Sequence, residues 1–147
     1  ARRRGKMVMA CYRRCRGSSY RVLVVDDHPK AREMLATMIL SYDDKLDIPS
    51  IYEAASGEDA TQLARDYQPH VVLMDIRMPG IDGFEAARII KEECPSAAIL
   101  MMTAVEEPGQ RQVAADLGAA GFITKDRVGT EFVPMLSSLL GQPATER

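Results

Sequence analysis

Short apolar runs and helical repeats alternate along most of this chain. From Tyr20 onward, "RVLVV" (21–25) is an unbroken, β-branched run that predicts a buried strand. "PKAREMLATMILSY" (29–42) follows, with Ala31, Leu35, Met38 and Ile39 at helical spacing. The alternation then repeats with strand "SIYEAAS" (50–56), helix "GEDATQLARDY" (57–67), strand "HVVLMD" (70–75) and helix "DGFEAARIIKEE" (82–93). It ends with strand "AAILMMTA" (97–104), helix "PGQRQVAADLG" (108–118), strand "AGFIT" (120–124) and helix "TEFVPMLSSLL" (130–140). Over 82–93, Phe84, Ala87 and Ile90 share one side and Glu85, Arg88 and Glu92 the other. Pro108 is expected near the first turn of its helix, where a missing N–H costs nothing, and Gly118 at its stop. With Thr130 as N-cap of the last helix, Pro134 would also be harmless.

Strands that are apolar on both faces and separated by helices require a parallel sheet with helices on both sides, each crossover right-handed. The predicted architecture is therefore α/β, a doubly wound five-stranded parallel sheet. No period of ~20–50 residues recurs, which excludes a solenoid. "SYDDKLDIPS" (41–50) reads as a solvated acidic loop. The domain is expected over 20–140, with a basic extension over 1–19 and a tail or the start of a linker over 141–147. The extension is either a natural basic arm or an added leader, such as a start placed upstream of Met7 or Met9.

Composition changes this picture in three ways. At 147 residues, the chain is one ordinary domain, and without Trp its core must be aliphatic and methionine-rich. Charge is uneven: eight of the 19 Lys and Arg lie in residues 1–21, which hold no acid, so the remainder carries 11 bases against 21 acids, a net −10. Such a body is ill suited to grip a nucleic-acid backbone and well suited to hold a cation. Three cysteines (Cys11, Cys15, Cys94) form no even disulfide framework and no zinc-like spacing, which fits reduced thiols in a cytoplasmic protein. No apolar run approaches the ~18 residues of a membrane span.

Ligands of open parallel sheets bind beyond the carboxyl ends of the strands. There the chain places Asp26, Asp27 and His28 after the first strand, Asp75 after the third, Thr103 and Ala104 after the fourth, and Lys125 after the fifth. An acidic pair before a helix is also an ordinary cap, and His28 reads as a solvated first-turn residue. Taken jointly, however, three acids, a hydroxyl and an amine on one edge make a site. Clustered carboxylates repel unless a hard divalent cation neutralises them, and oxygen ligands suit Mg²⁺. Lysine and threonine would then meet an anion, and Asp75, the central acid, is the best nucleophile for a phosphoryl group.

These residues resemble the receiver domain of bacterial two-component response regulators over Tyr20 to about Leu140. The resemblance rests on "VVDDH", "LMDIRMPGIDGFE", "MMTA" and "AAGFITKD", four motifs in order. It implies a flavodoxin-like sheet of order 2-1-3-4-5. It implies phosphorylation of Asp75 by a sensor histidine kinase and Mg²⁺ held by Asp26, Asp27, Asp75 and the backbone carbonyl of Arg77, with Asp27 a direct ligand and Asp26 partly through water. It further implies that Thr103 and Lys125 bind phosphoryl oxygens and that Thr103 and Phe122 form the switch pair. Ala104 is the small residue at the phosphoryl entry, while Arg77 and Val105 flank the path of the hydrolytic water.

The expected output is a shift of the face formed by the fourth helix, fifth strand and fifth helix, leading to a homodimer or to engagement of a partner. Asp126 stands where the family commonly has proline, and Lys125-Asp126 resembles receivers that precede a helix-turn-helix domain. DNA would then be met by that output domain, not by the receiver. The competing classes lack their marks. A dehalogenase-type phosphohydrolase would need an acid at Arg77, and a nucleotide-binding domain would need a glycine-rich loop in "DDHPKAR". A receiver-like scaffold that takes no phosphate would be expected to lack an acid or the lysine, and all are present.

Overall fold

The apolar runs form strands whose alternate residues feed two cores. The structure, a computed structural model, describes residues 6–8, 20–40 and 50–140. The predicted acidic loop, Cys11, Cys15 and the 141–147 tail lie outside the described residues. In chain order the elements are β1 (Lys6–Val8), β2 (Arg21–Val25), α1 (Pro29–Leu40), β3 (Ser50–Ala54), α2 (Gly57–Tyr67), β4 (Val71–Asp75), α3 (Gly83–Glu93), β5 (Ala98–Thr103), α4 (Gln110–Leu117), β6 (Gly121–Thr124) and α5 (Val128–Leu140).

The sheet order is β1-β3-β2-β4-β5-β6. Strands β2 to β6 are parallel and, counted by themselves, run 2-1-3-4-5. The sheet departs from the five strands expected, because β1 pairs antiparallel with β3, Lys6 opposite Glu53 and Val8 opposite Ile51. Three residues show no periodicity, and what recruits them is the row of backbone groups along the open edge of β3.

Side-chain alternation sorts the core. Val72 and Met74 of β4, with Ile99 and Met101 of β5, pack against Ala60, Leu63 and Ala64 of α2 and Ala86, Ala87 and Ile90 of α3. Val71 and Leu73, with Leu100 and Met102, pack on the opposite face against Leu35, Ala36 and Ile39 of α1 and Phe132 of α5. Helix starts follow local chemistry. Ser56 accepts a hydrogen bond from the Asp59 N–H and Asp82 from the Glu85 N–H, each cap worth about 1 kcal/mol.

Two helix starts differ from expectation. Gly109, at φ +87°, is the N-cap of α4, so Pro108 lies ahead of the helix rather than in its first turn. The Gln110 side chain closes the preceding turn by accepting from the Glu107 N–H. Residues Lys125–Arg127 form a 3₁₀ turn that runs directly into α5, so Thr130 is its third residue, not its cap. Pro134 therefore sits in the helix interior, where it removes the hydrogen bond to the Thr130 carbonyl. Both residues are exposed, so water can hydrate that carbonyl.

Among the described residues no helix is long and apolar enough to cross a membrane.

Candidate functional site

Parallel register gathers the chemistry at one edge. Val25 of β2 lies opposite Met74 of β4, so the next residues, Asp26 and Asp75, fall side by side. Thr103 lies opposite Thr124, and Lys125 follows immediately. Asp26, Asp75 and Thr103 are buried, Asp26 completely.

The contacts are close. Lys125 Nζ donates to Asp26 Oδ2 at 2.7 Å and stands 3.5 Å from Asp75 Oδ2. Asp26 Oδ1 accepts from the backbone N–H of His28 at 2.9 Å. The His28 ring is mostly exposed, yet its Nδ1 lies 3.3 Å from both Asp26 Oδ1 and Asp27 Oδ1. That approach makes no hydrogen bond to Asp27, whose Oδ1 is buried without a hydrogen-bond partner. One ligand atom from each of Asp26, Asp27, His28 and Asp75 falls within a 4.8 Å span. The exposed ring agrees with a solvated residue at the helix start, with its Nδ1 at the edge of the cluster.

Three carboxylates meet one ammonium, and the balance is negative. Burial, and then the charge of Asp26, push Asp75 up to about 6, against the opposing pull of Lys125. Burial pulls the Lys125 ammonium down, but its hydrogen bond to Asp26 and the charges of Asp26 and Asp75 outweigh this and raise it. Three carboxylates with excess negative charge, one of them, Asp27, with an orphaned buried oxygen, fit a hard divalent cation.

The remaining predicted residues form the rim. The Thr103 hydroxyl donates to the Val105 carbonyl at 3.0 Å, so it is engaged by the loop after β5. Ala104 and Val105 are exposed on that loop. Arg77, exposed two residues after Asp75, forms an ion pair with Glu107 and bridges the loops after β4 and β5. Phe122 is buried beneath Arg111, whose guanidinium carbon stands 4.7 Å from the ring centroid. Glu106 in turn holds Arg111 through two hydrogen bonds. Gly80, at φ +83°, turns the chain away after Pro79, and Glu58 of α2 accepts from the next N–H, that of Ile81.

Sequence reasoning missed three supporting residues. Gly83 abuts β4 so closely that a Cβ there would lie 2.1 Å from the Asp75 carbonyl oxygen. Arg32 and Glu53 form a largely buried ion pair beside Asp26. The available signal for the pair was the acid inside the otherwise apolar "SIYEA". For Gly83 it was a glycine at the first helical position, where no turn requires one.

The sequence profile of the response regulator receiver domain matches residues 22–136. The chain belongs to the response regulator receiver family. As a receiver, it is similar to the response regulator GacA of Pseudomonas protegens, 39% identical over 105 residues that cover 71% of this chain and 48% of that protein. Among solved structures, it resembles the signal receiver domain of the putative response regulator NarL from Mycobacterium tuberculosis, with a TM-score of 0.70 at 35% identity over 85% of this chain and 99% of that one. A LuxR-family two-component response regulator from Aurantimonas sp. SI85-9A1 superposes with a TM-score of 0.72 at 32% identity, covering 85% of this receiver and 88% of that chain. The receiver spans about half the length of the curated relatives it matches.

Proposed function

We propose that this receiver is a phosphorylation-operated switch in which Asp75 takes a phosphoryl group from the phosphohistidine of a sensor histidine kinase. The observation that carries the reading is the buried Asp75 carboxylate at the end of β4, 3.5 Å from Lys125 and crowded by Asp26 and Asp27. In the transfer, an Asp75 carboxylate oxygen forms a bond to phosphorus while the P–N bond to the donor imidazole breaks and its electrons remain on nitrogen. Asp26, Asp27, Asp75 and the Arg77 backbone carbonyl would hold Mg²⁺, which supplies charge neutralisation for the phosphoryl oxygens when bound.

Lys125 is already within reach of Asp75 and would hold one phosphoryl oxygen. Thr103 would exchange its bond to the Val105 carbonyl for another, drawing in the loop after β5. Phe122 of β6, packed beneath Arg111 of α4, would repack with it. The output surface is the face of α4, β6 and α5, which would then form a homodimer or engage a partner. The activity is self-directed, phosphotransfer to Asp75 and hydrolysis of the resulting acyl phosphate, not turnover of a separate substrate. A cytoplasmic role in transcription regulation fits relatives described as transcriptional regulatory proteins, with DNA contacted by an output domain.

The decisive experiment supplies Mg²⁺ with acetyl phosphate, or with beryllofluoride, and follows amide spectra and phosphoprotein mass. Wild type should change state and gain one phosphoryl group, and Asp75→Asn should do neither. Lys125→Ala should accept phosphate poorly or fail to shift the α4–β6–α5 face. Equal responses from wild type and Asp75→Asn would overturn the reading.

A further inference from the structure

The main chain of Asp26 is tied at both ends. Its N–H donates to the Ala54 carbonyl of β3 at 3.1 Å. Its carbonyl accepts from Arg32 Nη1 at 2.8 Å. The same guanidinium donates through Nε to Glu53 Oε1 at 3.2 Å, and both side chains are largely buried, at 16% and 10% exposure. Arg32 lies one turn into α1, and its own N–H bonds the His28 carbonyl, so the helix and the Asp26–His28 segment are held as one piece.

We propose that Arg32 is a positioning residue for the acidic site: anchored by Glu53, it holds the Asp26 carbonyl and so sets the direction of the Asp26 and Asp27 carboxylates toward a bound cation. The proposal rests on the receiver reading and deepens it. A buried ion pair is a poor device for stability alone, because desolvation offsets much of its attraction and a packed apolar pair would join α1 to β3 as well. What a guanidinium adds is direction: its planar fork fixes the angle between the N–H groups that meet two acceptors, whereas the three donors of an ammonium turn freely on a flexible stem. One of those acceptors is the carbonyl of the residue whose carboxylate meets Lys125. Glu53 neutralises Arg32, which leaves the negative charge of the cluster available to a cation. Ligands of bound metals are oriented by such outer hydrogen bonds, and their loss typically weakens metal affinity about 10–100-fold.

The test measures Mg²⁺ affinity by calorimetry and by the amide signals of Asp26 and Asp27, since the chain has no tryptophan. Arg32→Met/Glu53→Gln removes the guanidinium without leaving a buried unpaired carboxylate. It should retain a folded amide spectrum and bind Mg²⁺ about 10-fold more weakly, or worse. Arg32→Lys keeps the charge facing Glu53 but not the fork, and should recover only part of that loss. A purely structural pair would lower the melting temperature and leave the Mg²⁺ affinity of the folded protein unchanged, which would overturn the proposal. Should the double variant fail to fold, Arg32→Lys decides alone: wild-type affinity overturns the proposal and weakened affinity supports it. A wild type that bound no Mg²⁺ would overturn the proposed Mg²⁺-dependent phosphoacceptor function, and the positioning role with it.

Discussion

Folding takes Asp75 out of water beside Asp26, and its pKa rises from an ordinary 3.8 to about 6. The native state therefore holds the Asp75 proton more tightly than the unfolded chain does. The resulting contribution to stability is fully present below the unfolded value and is lost as pH rises through about 6. At neutral pH the ionised carboxylate is a liability, which asparagine, a mimic of the protonated form, would not carry. Asp75→Asn, in EDTA at pH 7.5, should be more stable than wild type by on the order of 2 kcal/mol. The two should converge toward pH 4. Urea denaturation at several pH values checks this, and a variant less stable than wild type at pH 7.5 would show that Lys125 outweighs burial. The site thus holds an unfavourable charge that a bound cation would relieve.

At the scale of elements, the contact that sets Asp75 is the seat of α3 against the end of β4. The Gly83 N–H bonds the Ile76 carbonyl at 2.9 Å, and no side chain fits between helix and strand. Gly83→Ala should cost about 2 kcal/mol, because backbone rather than a flexible side chain must move. Gly129, in the first turn of α5, has open space around its Cβ position, and Gly129→Ala should gain about 0.5–1 kcal/mol. Opposite signs for the same substitution, read from denaturation midpoints, would separate close packing from helix propensity. Most elements were legible in sequence: α2 spans the predicted 57–67, and the α3 prediction at 82–93 differs only by its cap, Asp82. The start of α5 was not, because Thr130 and Pro134 satisfy the local rules for a helix start equally well. The 3₁₀ turn from Lys125 decides the matter by carrying the chain straight from the sheet edge into the helix.

For the whole molecule, the governing quantity is net charge at the site within an acidic body. Among the described residues, the acidic cluster faces Lys125 as a neutralising partner, with Asp27 Oδ1 making no hydrogen bond. Binding a divalent cation only in the native state should therefore stabilise the fold. At Mg²⁺ a hundredfold above its dissociation constant the gain is about 2.7 kcal/mol. Calorimetric melting should show a saturating rise with Mg²⁺ in wild type and little in Asp27→Asn. A wild-type melting temperature indifferent to Mg²⁺ would count against a cation site.

The amino-acid sequence by itself determined the order of the five parallel strands and their helices, and which residues stand at the ends of the strands that carry the site. Both follow from local periodicity and from the rule that parallel strands present their carboxyl ends together. That was enough to bring Asp26, Asp27, Asp75, Thr103 and Lys125 to one edge. Only the tertiary structure decided their partners. Lys125 meets Asp26 across 99 positions, and Arg32 meets Glu53 across 21. Thr103 turns to Val105, Arg77 reaches Glu107, and Gly83 closes on β4. The physical reason is one of range. Backbone pattern is written within a few residues, whereas a hydrogen bond of about 3 Å depends on how helices and strands distant in sequence pack against each other.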